Sequence, residues 1–163
     1  MRHVLFTFLL FLLVCSGGWA QDLEKFPLDD AAGGLSAAID RAVKVEGKGA
    51  LKITVPGPST LCLGEAEGLD VEGALLVYRA RVKTDLAGAV YLELWAMVDG
   101  KPYYSRGLDR QVQGRSDWTA IRTPFRFEKG QRPEKVLLNL VVTGKGTVWL
   151  DDVVLSKEPL PQQ

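Results

Sequence analysis

The side chains best suited to chemistry stand at alternate positions of one short stretch in this sequence of 163 residues. Tyr91, Glu93 and Trp95 are separated by Leu92 and Leu94. Because successive side chains of a β-strand point to opposite faces of its sheet, a strand here directs both aromatic rings and the carboxylate to one face. The leucines then face the core. The stretch therefore predicts an aromatic and acidic surface on a β-sheet.

The same alternation of side chains in two other stretches adds planar hydrogen-bonding groups to this face. In residues 74–83 the alternate apolar side chains face the core, which leaves Arg79 and Arg81 on the opposite side. In residues 135–142 the alternation likewise leaves Asn139 on the opposite side. If these strands belong to one sheet, its outer face carries Tyr91, Glu93, Trp95, Arg79, Arg81 and Asn139. Aromatic rings stack on the apolar C–H face of a sugar, and arginine, carboxylate and amide groups pair with its hydroxyls. The face is therefore a candidate saccharide site.

A structural interpretation of the same face stays open. The two aromatic rings would then be covered by a loop, and Glu93 would form a cross-strand ion pair with Arg79 or Arg81. Openness of Trp95 in a groove distinguishes the two interpretations.

The turn at Asp99-Gly100 brings further candidates close to this stretch. Tyr103, Tyr104 and Arg106 follow the turn, and we expect Tyr104 and Arg106 to contribute to ligand binding. The alternative is an ordinary hydrophobic strand with an exposed arginine.

Composition excludes several classes of function. The only histidine is His3, so once the leader is removed the chain has no imidazole for a Ser/His/Asp or Cys/His mechanism or for the commonest zinc sites. Removal of residues 1–20 takes Arg2 and leaves 19 basic against 20 acidic residues. This balance gives no reason to expect nucleic acid or an anionic membrane as partner. The composition still permits glycoside hydrolysis by a pair of carboxyl groups, but no spacing of aspartate or glutamate residues indicates such a pair.

The first residues predict export. The apolar run at residues 4–14 follows Arg2 and His3, is too short to span a bilayer, which takes about 20 apolar residues, and leads to small residues before Gln21. These features are typical of a signal peptide over residues 1–20, and they predict a secreted or periplasmic protein. A lipoprotein attached through Cys15 is the alternative. Either way Cys62 has no intrachain disulfide partner in the mature chain.

From residue 36 onward the sequence predicts an all-β domain. Short β-rich runs separated by glycine and proline turns are expected at residues 36–40, 50–55, 60–64, 74–83, 90–98, 103–108, 118–127, 135–142 and 147–155. Their spacing favours an antiparallel two-sheet β-sandwich or jelly roll over residues 36–156. Residues 21–35 are expected to be partly irregular, and residues 157–163 to form a tail.

Five short segments occur in a fixed order along the chain: 46–53 (EGKGALKI), 82–84 (VKT), 91–95 (YLELW), 117–119 (DWT) and 146–153 (GTVWLDDV). This order resembles the carbohydrate-binding modules of the galactose-binding-like jelly-roll type that are appended to secreted glycanases. The resemblance implies a concave face that holds glycan, with Trp95 and Glu93 on it. It also implies a structural calcium ion with Asp152 among its ligands. The alternative for Asp151 and Asp152 is two carboxylates at a strand end, facing solvent and turn amides.

The remaining aromatic and thiol residues are assigned to structure. Trp118 and Trp149 are assigned mostly to structure, and the resemblance implies that the Trp118 indole caps the core edge. Cys62 is expected to be a small buried hydrophobe or an unpaired thiol on an edge strand. The leading hypothesis is thus a non-catalytic, exported module that binds glycan or another component of the cell envelope. The alternative is a structural or protein-interaction domain that uses the same sandwich.

Overall fold

The computed structural model describes residues 20–26, 28, 36–45 and 47–161. The strands in this part are β1 (Gln21–Lys25), β2 (Ser36–Asp40), β3 (Ala50–Val55), β4 (Ser59–Glu67), β5 (Ala74–Val98), β6 (Lys101–Arg106), β7 (Val112–Arg126), β8 (Lys135–Val142) and β9 (Lys145–Pro159), with a 3₁₀-helix at Leu108–Arg110. Within these residues, no helix has the length and apolar character needed to span a bilayer. Residues 1–19, with most of the predicted leader and Cys15, lie outside the described part of the chain.

The long strand β5 contributes to both layers of the fold. Residues 74–87 pair with β9 and residues 75–90 with β7, whereas residues 90–97 pair with β8 and residues 93–98 with β6. The register with β7 shifts between Val82 and Thr84 and again between Asp85 and Ala89. Such irregularities bend a strand and increase its twist, so β5 can leave one sheet and enter the other.

A close backbone approach accompanies this crossing. Gly88 has a φ of 151°, and a Cβ added there would lie 2.7 Å from the backbone nitrogen of Gly144. A Cβ added at Gly144 would in turn meet the carbonyl oxygen of Ala87 at 1.7 Å. Two glycines are therefore required where the β5 backbone passes the end of β8.

Two antiparallel layers result from these pairings. The first layer has the order β4-β8-β5-β6 and uses the second half of β5. The second has the order β2-β3-β9-β5-β7 and uses the first half, with β1 beside the C-terminal part of β9. The predicted all-β, two-sheet β-sandwich is confirmed.

The core lies between the layers and follows the predicted parity. In the first layer, alternate residues of β5 and β8 are fully buried, among them Leu92, Leu94 and Leu138. In the second, Leu76 and Tyr78 face the same core. Burial of each such side chain stabilises the fold by about 1.5–3 kcal/mol. Because these side chains face the core, the alternate side chains of both layers face outward.

Several elements are longer than the sequence pattern predicts. Residues 74–83 and 90–98 belong to one strand, because the segment between them continues the ladder with β9. β9 reaches Pro159, three residues into the predicted tail, and its last part pairs with β1 in the segment expected to be partly irregular. Backbone pairing therefore extends past the apolar runs that mark the strands in the sequence.

Candidate functional site

The exposed aromatic residues of the first layer meet on its outer face. The register between β5 and β6 places Trp95 opposite Tyr104, with ring centroids 6.1 Å apart and planes inclined by 34°. Trp95 is 39% exposed and Tyr104 is 58% exposed. Two open rings on adjacent strands form a shallow aromatic platform.

A buried carboxylate lies beside this platform. Glu93 is only 4% exposed, and its Oε1 accepts hydrogen bonds from Trp95 Nε1 at 2.6 Å and from Asn139 Nδ2 at 3.5 Å. Its Oε2 accepts one from Arg106 Nε at 2.5 Å. A buried charge is tolerated when it is paired and hydrogen-bonded, and here three donors do this. The indole of Trp95 is thereby held at its edge while its ring stays open.

Arg106 connects the carboxylate to the second ring. Its guanidinium lies 4.8 Å from the centroid of Tyr104, a cation–π distance. The hydrogen bond to Glu93 is the main cause that raises the pKa of Arg106 above its usual value, so the guanidinium is charged at every accessible pH. We call the surface formed by Tyr91, Glu93, Trp95, Tyr104, Arg106 and Asn139 the Trp95 face.

The rest of the Trp95 face extends across the layer toward β4. Tyr91 is half-buried and stands opposite Val141, while Asn139 stands opposite both Glu93 and Cys62. Cys62 is exposed on β4, at the edge of the layer, so the edge-thiol alternative is confirmed and the buried one is wrong. The Trp95 face thus spans three strands of the first layer, β6, β5 and β8, and Cys62 of β4 borders it.

Arg79 and Arg81 do not lie on this face, contrary to the one-sheet prediction. Their part of β5 pairs with β7 and β9 in the second layer. Arg79 forms an ion pair with Asp22 of β1 at 2.9 Å, and Arg81 stands opposite Asp151. The physical reason is the crossing of β5 between the layers, which separates side chains that share parity along one strand. The ion pair of Glu93 with Arg79 or Arg81, which the structural alternative proposed, is likewise wrong, since the partner of Glu93 is Arg106.

The turn at Asp99-Gly100 is a sequence signal for that partner. Asp99 and Gly100 both have positive φ values, 50° and 68°, as in the two-residue turns that join hairpin strands. Counting outward from such a turn pairs Val98 with Lys101, Trp95 with Tyr104 and Glu93 with Arg106, as observed.

Trp149 lies on the outer face of the second layer. Its Nε1 donates to Asp40 Oδ2 at 3.0 Å, and the Lys52 Nζ lies 5.5 Å from its ring centroid. This hydrogen bond is the main cause that lowers the pKa of Asp40, with the amides of Ala42 and Val43 adding to it. The indole is therefore fixed in orientation, in agreement with a structural role.

Among the described residues, no carboxylate cluster surrounds Asp152. The neighbouring Asp151 accepts the backbone N–H groups of Val45 and Asp152, both at 2.8 Å. Across residues 20–26, 28, 36–45 and 47–161, no group of three or more histidine, cysteine, aspartate or glutamate residues is arranged to hold a metal ion. The described residues therefore show no carboxylate cluster at Asp152, and calcium binding stays a prediction.

Comparison with known proteins links this fold to one group of solved structures. No protein-family model and no curated protein matches the chain. Among solved structures, a xylan-binding domain from CBM22 has 8% identity and a TM-score of 0.60, over 87% of this chain and 98% of that chain. The CBM22-1 xylan-binding domain of Paenibacillus barcinonensis Xyn10C has 16% identity and a TM-score of 0.54, over 88% and 95%. A family 16 carbohydrate-binding module has 9% identity and a TM-score of 0.54, over 75% and 86%. The chain therefore has the β-sandwich fold of carbohydrate-binding modules.

Proposed function

We propose that this chain is an exported, non-catalytic module that binds a saccharide on the Trp95 face. The observation that carries the proposal is the pair of open rings, Trp95 and Tyr104, beside a buried carboxylate that holds the edge of the indole. A rigid platform is favourable for binding because little side-chain freedom remains to be lost when the ligand arrives.

The groups around the platform suit a polyhydroxyl ligand. Each ring offers a plane for the C–H face of a sugar, and adjacent rings suit adjacent sugar units of one chain. Arg106 uses Nε toward Glu93, which leaves the Nη donors of the guanidinium for hydroxyl groups. The internal pairing of Glu93 with Arg106 gives the face little net charge, so an uncharged glycan meets no unpaired ion.

The same contacts support a non-catalytic role. Hydrolysis of a glycosidic bond ordinarily needs two carboxyl groups on either side of the bond. Glu93 is buried, and the hydrogen bonds described for it all come from donors: an indole, a guanidinium and an amide. It therefore acts as an acceptor inside the protein.

Export is supported by the leader pattern at residues 1–20. Intact-mass measurement of protein recovered from the medium or the envelope tests it. The expected mass is that of a chain that begins at Gln21. The mass of a lipid-modified chain that begins at Cys15 would instead support the lipoprotein alternative.

Binding is tested on a glycan array and by affinity electrophoresis in gels that contain polysaccharide. Xylan is the first polymer to include, because similar solved structures are named as xylan-binding. Trp95→Ala and Tyr104→Ala are each expected to weaken binding by about thirtyfold or more, since central aromatic residues dominate such interfaces, at about 2 kcal/mol or more each. Tyr103→Ala is the matched control. It lies on the same strand, is 45% exposed, and pairs with Ala96 on the opposite side of the sheet.

A protein partner is the second candidate. Met97 is exposed on the same side as Trp95, and methionine, arginine and aromatic residues are enriched at protein interfaces. If wild-type protein binds no glycan on a broad array, the Trp95 face is a protein-contact surface. If Trp95→Ala unfolds the domain, the indole serves packing and the saccharide proposal is wrong.

A further inference from the structure

A second groove lies on the far side of the sandwich from the Trp95 face. It is lined by Trp149 of β9, by Lys83 and Thr84 of β5, and by Arg115, Ser116 and Asp117 of β7. Its volume is about 330 Å³, at the lower end of the range of about 300–1,000 Å³ that is typical of ligand pockets. This volume gives room for a small ligand.

The groove forms where the ladder between β5 and β7 is interrupted. The register shifts between Val82 and Thr84 and again between Asp85 and Ala89, and Gly114 takes a φ of 67°. Thr84 is buried there, and its Oγ1 donates to the carbonyl oxygen of Gly114 at 2.8 Å. The irregular backbone of the second layer therefore contributes to the opening.

Trp149 forms a fixed wall of this groove. Asp40 holds its Nε1, and Lys52 lies against the ring from the β3 side. The groove lies on the β5 side, where Lys83 is the cross-strand neighbour of Trp149. An indole anchored by a carboxylate thus borders each of the two surfaces, with Asp40 in the position that Glu93 has for Trp95.

The charged groups of the groove are already paired with one another. Lys83 Nζ donates to Asp117 Oδ1 at 2.9 Å, and Arg115 lies 3.7 Å from Asp85. A charged ligand would have to displace one of these partners. An uncharged polyhydroxyl ligand can bridge the paired groups, since their unused donors and acceptors face the same opening.

We propose that this groove is a second saccharide site, which takes one or two uncharged sugar units, such as the end or a side branch of a glycan. The ligand ring packs against the edge of Trp149, and its hydroxyls pair with Asp117, Arg115 and Ser116. The site does not require the Trp95 face to bind. With both sites occupied, the domain connects two glycan segments and gains affinity through the second contact.

Nuclear magnetic resonance titration of the full chain tests the proposal, with D-xylose, D-glucose, D-galactose, xylobiose and cellobiose as probes at tens of millimolar. At least one probe is expected to shift the indole N–H signal of Trp149 and the amide signals of Ser116 and Asp117. The same shifts are expected in Trp95→Ala, because that residue lies in the other layer. Signals of the Trp95 face report the first site separately, so failure of one site is distinguished from failure of the other.

Two variants test the assigned contacts. Asp117→Ala and Arg115→Ala are each expected to weaken binding in the groove about tenfold, the usual effect of a lost hydrogen bond to a charged group. Both side chains are 84% exposed, so the fold tolerates their truncation. Asp109→Ala, on the 3₁₀-helix outside the groove, is the matched control and is expected to bind like wild type. The proposal is overturned if no probe moves the groove signals of the wild type, or if the shifts persist unchanged in both variants.

Discussion

Replacement of Glu93 by glutamine tests whether the buried carboxylate organises the Trp95 face. Three donors converge on the two carboxylate oxygens, from Trp95, Arg106 and Asn139. Glutamine has one acceptor oxygen and one NH₂ donor. In the Glu93→Gln variant, at least one of the three donors must therefore face the NH₂ group of the glutamine, which is itself a donor.

The cost follows from the donor that is lost. If the amide oxygen keeps Trp95 and Asn139, the hydrogen bond to the charged Arg106 disappears, and such bonds contribute about 1.5–3 kcal/mol. The Arg106 side chain is 46% exposed, so its freed guanidinium can turn to water, and the lower half of that range applies. We expect Glu93→Gln to lower the free energy of unfolding by about 2 kcal/mol, or Tm by about 5 °C for a domain of this size.

Thermal unfolding, monitored by circular dichroism with the near-ultraviolet signal of the indoles, measures this difference. Glu65→Gln is the matched control, because Glu65 also pairs with a cation, Lys135, but is 57% exposed. Exposed pairs contribute about 0–1 kcal/mol, so this variant is expected to melt close to wild type. If Glu93→Gln is as stable as Glu65→Gln and keeps the indole signal, the carboxylate does not organise the face.

Three further predictions concern other parts of the domain. The hydrogen bond from Trp149 holds the pKa of Asp40 below its usual value, so its stabilising effect is present above the unfolded-state pKa and is lost as pH falls through the lowered value. The free energy of unfolding, measured with urea at about pH 6 and about pH 3, should therefore fall less on acidification in Asp40→Asn than in wild type. If Asp152 helps to hold a calcium ion, a calcium chelator is expected to lower Tm and added calcium to restore it, and an unchanged Tm in both tests would remove the ion. A bulky maleimide on the exposed Cys62, two strands from Glu93, should reduce glycan binding without unfolding, and a methylthio group there should not.

Parity predicted the core of the first layer correctly. Val90, Leu92 and Leu94 are fully buried, while Trp95 between the core positions is open. Strict alternation over the whole stretch makes this inference robust, because a strand can bury only one of its two residue sets against a single core.

Parity alone could not place Arg79 with its true neighbours. Whether two strands share a sheet depends on long-range pairing, and the pattern of Arg79 and Arg81 is the same in either layer. The decisive segment is residues 84–89, where Gly88 suggests a turn although the strand continues. The groove beside Trp149 could not be predicted for the same reason, since it arises from irregular register between β5 and β7.

Because β5 is continuous, the two layers of the domain are expected to unfold together. This strand pairs with four others, β6, β7, β8 and β9, and so belongs to both layers. Neither layer can separate without disrupting the ladder that the other also uses. The two surfaces on opposite sides of the sandwich therefore share one cooperative unit, in which local unfolding on one side weakens the support of the other.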